Sequence, residues 1–285
     1  MSGAKSEGGR IAFQGELGAN SHEACMAAFP ELEPVGHPTF EEAFEAVRSG
    51  DCQLGMIPVE NSIAGRVADV HHLLPSSGLR IIGERFKAIH FHLMANPGVT
   101  LDQIKTAVSM PIALGQCRRT LRSMGLRTEA AGDTAGAAKH LAENPDPTRG
   151  AVSPALAAEV YGLNILARDI EDEHHNTTRF LVMTADKTPP APPFTQPCVT
   201  SFIFRVKNLP AALYKALGGF ATNGVNMTKL ESYMENGAFT ATFFYAEVDG
   251  RPEDLNLARA FDELGFFSER FEILGVYPAD PFRSR

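Results

Sequence analysis

A chain of 285 residues has room for about two domains of ordinary size and for a core that needs no disulfide staples. With 44% hydrophobic and 21% charged residues it has a globular composition, and no apolar run approaches the length of a membrane span. A net charge of −8, with Lys and Arg scattered along the chain, argues against a nucleic-acid surface.

In chain order, Ile11 to Phe13 reads as a strand ending at Gly15. Phe13 to His22 (FQGELGANSH) then makes a glycine loop between strand and helix, where the backbone either meets a ligand closely or simply turns. Its two glycines, with no following Lys, fit neither a Walker loop nor G-x-G-x-x-G, which excludes the common nucleotide loops. Thr39 to Val47 is an amphipathic helix. Phe40, Ala43, Phe44 and Val47 recur at helical spacing, Thr39 with Glu42 makes a capping box, and Gly50 is a stop. Gln53 to Ile57 is a strand. Asn61 and Ser62 then have the side chains of N-caps for a helix carrying Val67, Val70 and Leu74, whose first amides would suit a carboxylate.

The rhythm continues with a strand over Thr106 to Ser109 and a helix over Pro111 to Met124, with Gln116 one turn in. Asp133 caps a helix that starts at Thr134 and ends near Asn144-Pro145. Ala151 to Ser153 is a strand and Ala155 to Tyr161 a helix. This alternation predicts parallel sheets covered by helices, with ligands at the carboxyl ends of strands. Residues from Ile170 to Thr177 read as a polar, solvated loop running into the apolar strand Phe180 to Met183. Thr178 and Arg179 stand at that strand's edge. A guanidinium there can fork onto a carboxylate and a hydroxyl can bond a leaving oxygen, though on composition alone a capped loop with a surface Arg is the favoured reading.

The pairs His71-His72 and His174-His175 invite a metal reading. Adjacent helical residues diverge by about 100°, and His174-His175 with Glu171, Asp172 and Glu173 match no standard ligand spacing. No metal is expected. Cys25, Cys52, Cys117 and Cys198 form no C-x-x-C pair, and buried free thiols in a reducing cytoplasm are expected. Met1 to Gly9 are small and polar, read as a disordered segment without the apolar stretch of a signal peptide.

Asp186 to Pro197 holds five prolines and reads as a stiff, extended linker. Beyond it come a strand (Val199 to Val206), a helix (Ala211 to Asn223), strands over Val225 to Met234 and Ala238 to Val248, a helix (Glu253 to Leu264) and a strand (Phe271 to Tyr277). Glu235-Asn236-Gly237 is a hairpin turn signal between the middle strands. The order βαββαβ is ferredoxin-like.

Together these motifs resemble the prephenate dehydratase family over nearly the whole chain. Its glycine loop resembles Phe13 to Ser21, and its Pro-Val-Glu-Asn-Ser signature stands intact at Pro58 to Ser62. Ser109, Pro111, Ala113, Leu114, Gln116 and Cys117 match its third motif, Asp133-Thr134-Ala135 its fourth, Ala157 to Leu163 its fifth, and Thr178-Arg179-Phe180 its Thr-Arg-Phe signature. Met110 and Ile112 depart from it, where members often carry His and Gln.

The resemblance implies an α/β fold: a catalytic domain over 10–185 with two lobes, like type II periplasmic binding proteins, a linker over 186–197, and a ferredoxin-like ACT regulatory domain over 198–280. It implies loss of carbon dioxide and water from prephenate to give phenylpyruvate, with no cofactor. Thr178, Arg179 and Phe180 would be catalytic, with Thr178 assisting the leaving hydroxyl and Arg179 fixing a carboxylate. Ser21, Asn61, Ser62, Ser109, Gln116 and Thr134 would bind substrate. Phenylalanine would be an allosteric effector at Ala212, Leu213, Asn226, Glu231 and Ser232. The family's Gly-Ala-Leu stands here as Ala211-Ala212-Leu213, and its Glu-Ser-Arg-Pro as Glu231-Ser232-Tyr233-Met234. A cytoplasmic homo-oligomer, dimer or tetramer, is the expected state. Arogenate dehydratase and a non-catalytic small-molecule binding protein are the alternatives.

Overall fold

The computed structural model describes residues 8–193, 195–207, 209–234 and 243–284. The first sheet is built from β1 (Arg10–Gln14), α1 (Asn20–Ala28), β2 (Glu33–His37), α2 (Phe40–Arg48), β3 (Leu54–Asn61), the short β4 (Gly65–Arg66), α3 (Ala68–Leu73) and β5 (Arg80–Ala88). The chain then crosses to β6 (His92–Ala95), β7 (Thr106–Ser109), α4 (Pro111–Gln116), α5 (Arg118–Ser123), β8 (Arg127–Ala130), α6 (Thr134–Glu143), β9 (Arg149–Ser153), α7 (Ala155–Tyr161) and β10 (Asn164–Ala167), and returns as β11 (Thr177–Thr184). The strand orders are β2-β1-β3-β11-β5, with β4 paired to β3, and β10-β6-β9-β7-β8. β1 pairs parallel with β2 and β3, and β7 with β8 and β9, as the alternating pattern predicts, whereas β6 pairs antiparallel with β9 and β10; the two sheets agree with the two lobes that the resemblance implies.

Helix α2 shows how locally this is written. Thr39 Oγ1 accepts from the Glu42 N–H at 3.2 Å, and Ala43, Phe44, Ala46 and Val47 are buried on one face. Two expectations need correction. The single helix over Pro111 to Met124 is two, α4 and α5, separated at Cys117 (φ −110°, ψ 13°). The Asp172 carboxylate supplies α5 with a cap from outside, accepting from the N–H groups of Arg119 (2.7 Å) and Thr120 (3.0 Å). Asn61 and Ser62 cap no helix. Asn61 ends β3, and its Oδ1 accepts from the N–H groups of Ile63 (3.0 Å) and Ala64 (2.8 Å), closing a turn into β4.

The C-terminal part forms β12 (Cys198–Val206), α8 (Ala212–Thr222), β13 (Met227–Tyr233), β14 (Phe243–Asp249), α9 (Leu255–Phe267) and β15 (Ser268–Pro278). The antiparallel order β13-β14-β12-β15 is ferredoxin-like, as expected. In a chain without Trp, phenylalanine fills the core: the Phe202 ring lies 5.1–5.8 Å from those of Phe204, Phe220, Phe261 and Phe271. By contacts, the residues up to Val70 with Arg85–Phe180 form one unit, and His71–Glu84 with the residues from Leu181 onward form another. The proline-rich segment is anchored, because the buried Arg251 guanidinium donates to the carbonyls of Pro192 (2.7 Å), Pro193 and Gln196. The hairpin turn expected at Glu235-Asn236-Gly237, the start of the strand expected at Ala238, and residues 1–7 lie outside the described residues. Among the described residues, no helix is long and apolar enough to cross a membrane.

Ala211 precedes α8 with φ 61° and ψ 20°, the left-handed region. A Cβ costs roughly 1–2 kcal/mol there. Ala211→Gly relieves that strain and gives back part of the gain as unfolded-chain entropy. The expected result is a protein more stable by up to about 1 kcal/mol, read from the urea midpoint; an unchanged or lower midpoint contradicts it.

Candidate active site

The polar residues gather at the carboxyl edge of β3, where β11 enters the sheet. Ser62 N–H donates to the Thr177 carbonyl and Thr177 N–H to Ser62 Oγ, each at 2.9 Å, while Ser62 Oγ donates to the His175 carbonyl. This ladder sets Thr178 beside Asn61. Asn61 Nδ2 donates to Thr178 Oγ1 at 3.0 Å and to Asn176 Oδ1 at 2.7 Å. Asn176 Nδ2 donates to Gln116 Oε1 at 3.0 Å, and Gln116 Nε2 donates to Asn61 Oδ1 at 3.4 Å. Asn61, Asn176 and Gln116 therefore close a ring of amides drawn from both lobes, with Thr178 attached.

Arg179 turns away from this group, since successive strand residues point to opposite faces. It is 3% exposed, pairs with Glu60 Oε1 at 2.9 Å, and lies 5.9 Å over the Phe86 ring. Phe180 is back on the Thr178 side and buried in the core. Ser109, at the carboxyl end of β7, is buried and donates to the Val152 carbonyl at 2.6 Å. Ser21 and Thr134 are buried in the first turns of α1 and α6. Among the described residues, neither hydrogen-bonds to the amide ring.

The glycine loop meets the second lobe. Gly18 has φ +88°, and a Cβ on it would stand 2.7 Å from the Ala157 Cα, so this approach requires glycine. Tyr161 OH donates to the Leu17 carbonyl at 2.8 Å, and Lys139 pairs with Glu16 at 3.0 Å. Ala19 provides no side-chain cap for α1, whereas Gly18 N–H donates to His22 Nδ1 at 2.9 Å. Accepting at Nδ1 makes His22 a neutral Nε2–H imidazole.

Burial lowers the pKa of His22, His37 and His92. Burial pushes Asp172 and Glu171 up, but the N–H donors of Arg119, Thr120 and Phe91, with the Thr120 hydroxyl and His90, hold both below the usual carboxylate range. All five bind protons more readily when unfolded. Stability is thus present above the ordinary histidine pKa of about 6.5 and lost as the pH falls, with a further loss below about 4 from the two carboxylates. Thermal midpoints should fall steadily from pH 7 to pH 4; a flat profile contradicts these assignments.

The loop from Ile170 is solvated only in part, with Glu173 to His175 exposed. Glu171 and Asn176 are buried. Composition missed them because their partners come from distant segments. The one grouping of possible metal ligands among the described residues is His90, Asp169 and Glu171, not His174-His175. Glu171 already accepts from His90 Nδ1 (2.7 Å) and from Phe91 N–H (2.9 Å), so the carboxylate is satisfied by hydrogen bonds. All four cysteines are buried free thiols, and burial pushes Cys25 up to about 12.

The family model for prephenate dehydratase matches residues 11–188. The chain belongs to the prephenate dehydratase family. It is 49% identical to a bifunctional N-acyl-homoserine lactone acylase/prephenate dehydratase of Komagataeibacter europaeus, over 96% of this chain and 98% of that one. It is 37% identical to arogenate dehydratase 2 of Petunia hybrida, over 95% and 72%. The structure of a prephenate dehydratase from Arthrobacter aurescens in complex with L-Phe superposes with a TM-score of 0.86 at 30% identity, covering 95% of this chain and 90% of that one.

In the C-terminal part of this prephenate dehydratase-family chain, Ala212 is buried and Asn226 Nδ2 donates to Asp249 at 2.7 Å. Glu231 pairs with Lys229 at 3.5 Å. Strand alternation in β13 sends Glu231 and Ser232 to opposite faces. Tyr233 is buried, with its hydroxyl 3.2 Å from His71 Nδ1.

Proposed function

We propose that this protein is a prephenate dehydratase, converting prephenate to phenylpyruvate with loss of carbon dioxide and water. The observation that carries the reading is the hydrogen bond at Thr178. Its Oγ1 accepts from Asn61 Nδ2, which leaves its own proton to donate to the departing ring hydroxyl. Asn61 is locked at both ends of its amide, so the donor is set before substrate arrives. As the C–CO₂ bond breaks, its electrons enter the ring and the hydroxyl leaves. Aromatisation drives the step, and the protein supplies position and hydrogen bonds.

The uncapped first turn of α1, with Ser21, takes one substrate carboxylate; Ser62, Ser109, Gln116 and Thr134 border the rest of the cleft. Arg179 acts through Glu60 as a positioning residue, and Phe180 anchors the strand behind Thr178. Residues 10–185 form the catalytic domain, 186–197 the linker and 198–280 an ACT domain. That domain binds phenylalanine beside Ala212, Leu213 and Asn226, with either Glu231 or Ser232 facing the ligand. The Arthrobacter complex with L-Phe supports this effector. A cytoplasmic dimer or tetramer is the form proposed, checked by light scattering. Calorimetry with phenylalanine should show saturable heat accompanied by inhibition; no heat and no inhibition leave the domain structural.

The test of the function is turnover of prephenate against arogenate. Faster phenylpyruvate formation from prephenate supports the reading, faster conversion of arogenate makes the protein an arogenate dehydratase, and no turnover of either returns the binding-protein alternative. A second reading comes from the Komagataeibacter relative, named also as an acylase. A cavity of about 470 Å³ beside Gln116 carries Ile63, Ala64 and Ile112, apolar surface suited to an acyl chain. Release of a fatty acid from an N-acyl-homoserine lactone by the same preparation tests it.

A further inference from the structure

Two stretches connect the lobes: residues 89–91 between β5 and β6, and residues 168–176 between β10 and β11. They are stitched to each other. Ile89 N–H donates to the Asn176 carbonyl and Ile170 N–H to the Phe91 carbonyl, each at 2.9 Å. Glu171 is the side chain that joins them. Its side chain is 1% exposed, one oxygen accepts from Phe91 N–H at 2.9 Å, and the other from His90 Nδ1 at 2.7 Å. Asp169 reinforces the junction, its N–H donating to His92 Nδ1 at 3.0 Å. The next residue, Asp172, donates its N–H to the Gln116 carbonyl at 2.7 Å and caps α5 with its carboxylate. The far end of the stretch is Asn176, the member of the amide ring that joins Asn61 to Gln116.

We infer that Glu171, with His90, is a positioning pair that sets Asn176 and through it the Thr178 hydroxyl. The inference rests on the dehydratase reading for its kinetic consequence only. A buried carboxylate needs partners, and these two lie on the opposite crossing stretch, so the pair fixes the spacing of the two crossings. Asn176 sits five residues along, tied by its carbonyl to Ile89, the neighbour of His90. A shift at the Glu171 end is thus passed to the amide ring from both crossings. Misplacement on the scale of 1 Å is enough to cost orders of magnitude in rate.

The test compares Glu171→Ala with Glu171→Gln, whose amide oxygen still accepts from Phe91 N–H. For Glu171→Ala, kcat on prephenate should fall about 10- to 100-fold with KM little changed. Glu171→Gln should restore most of the rate. Hydrogen exchange, followed by mass spectrometry on the full chain, reads the same pair without catalysis. In Glu171→Ala the amides of Ile89, Ser62 and Thr177 should exchange faster, as well as that of Phe91. Wild-type kcat in folded Glu171→Ala, or faster exchange confined to Phe91, overturns the inference. Should the wild-type protein not turn over prephenate, the dehydratase reading fails and exchange alone decides whether Glu171 sets the position of Asn176.

Discussion

Thr178→Ala should lower kcat on prephenate by about 10²–10³-fold, the usual cost of losing one preorganised donor to a developing charge. The change should fall on kcat and leave KM close to wild type, because the bond to the departing hydroxyl strengthens only as it leaves. The fold should survive. Asn61 Nδ2 keeps one of its two N–H bonds, to Asn176 Oδ1 at 2.7 Å, and Asn61 is only partly buried, so water takes the place of the lost hydroxyl. Thr178→Ser retains the hydroxyl and should keep most of the rate, whereas Thr178→Val, matched in shape, should behave like alanine. Near-normal turnover in Thr178→Val removes the hydroxyl from the mechanism.

Arg283→Ala should destabilise the protein by about 3–5 kcal/mol, although the residue stands near the chain's end. The guanidinium bridges two carboxylates that are almost completely buried. Its Nε reaches Glu84 Oε1 at 2.6 Å and its NH2 reaches Glu247 Oε2 at 3.0 Å; those acids are 0% and 1% exposed. Glu84 also accepts from the Asp280 N–H and Glu247 from the Tyr245 hydroxyl, so both are held in place. The variant removes the guanidinium that bridges these two buried carboxylates, and breaking such a buried pair is strongly destabilising. Arg283→Lys keeps the charge without the forked geometry and should recover part of the loss. A loss under about 1 kcal/mol in the denaturant midpoint of Arg283→Ala would be that of an exposed pair, and would contradict this assignment.

What the sequence made legible is local. The Thr39 half of the capping box read with Glu42, the Asp133 cap on α6 and the apolar stripe of α2 are each written within a few positions and each is present in the fold. What it hid is the work of distant partners. Nothing near Cys117 announces the break between α4 and α5, because the cap is Asp172, 53 positions from Arg119. Arg179 reads as a free guanidinium until Glu60, 119 positions earlier, is placed beside it. Asn176 sits in an acidic stretch whose composition points to solvent, yet Asn61, 115 positions away, and Gln116, 60 away, take both ends of its amide. Ala211 lies between these cases. The resemblance points to a position where glycine is usual, but the positive φ is a property of the folded chain.

The most direct test of the account is formation of phenylpyruvate from prephenate by the purified protein, with Thr178→Val measured in parallel. Saturable turnover by the wild type and a loss of about 10²–10³-fold in the variant are expected. Folded wild-type protein that forms no phenylpyruvate, or a variant as fast as the wild type, would contradict it.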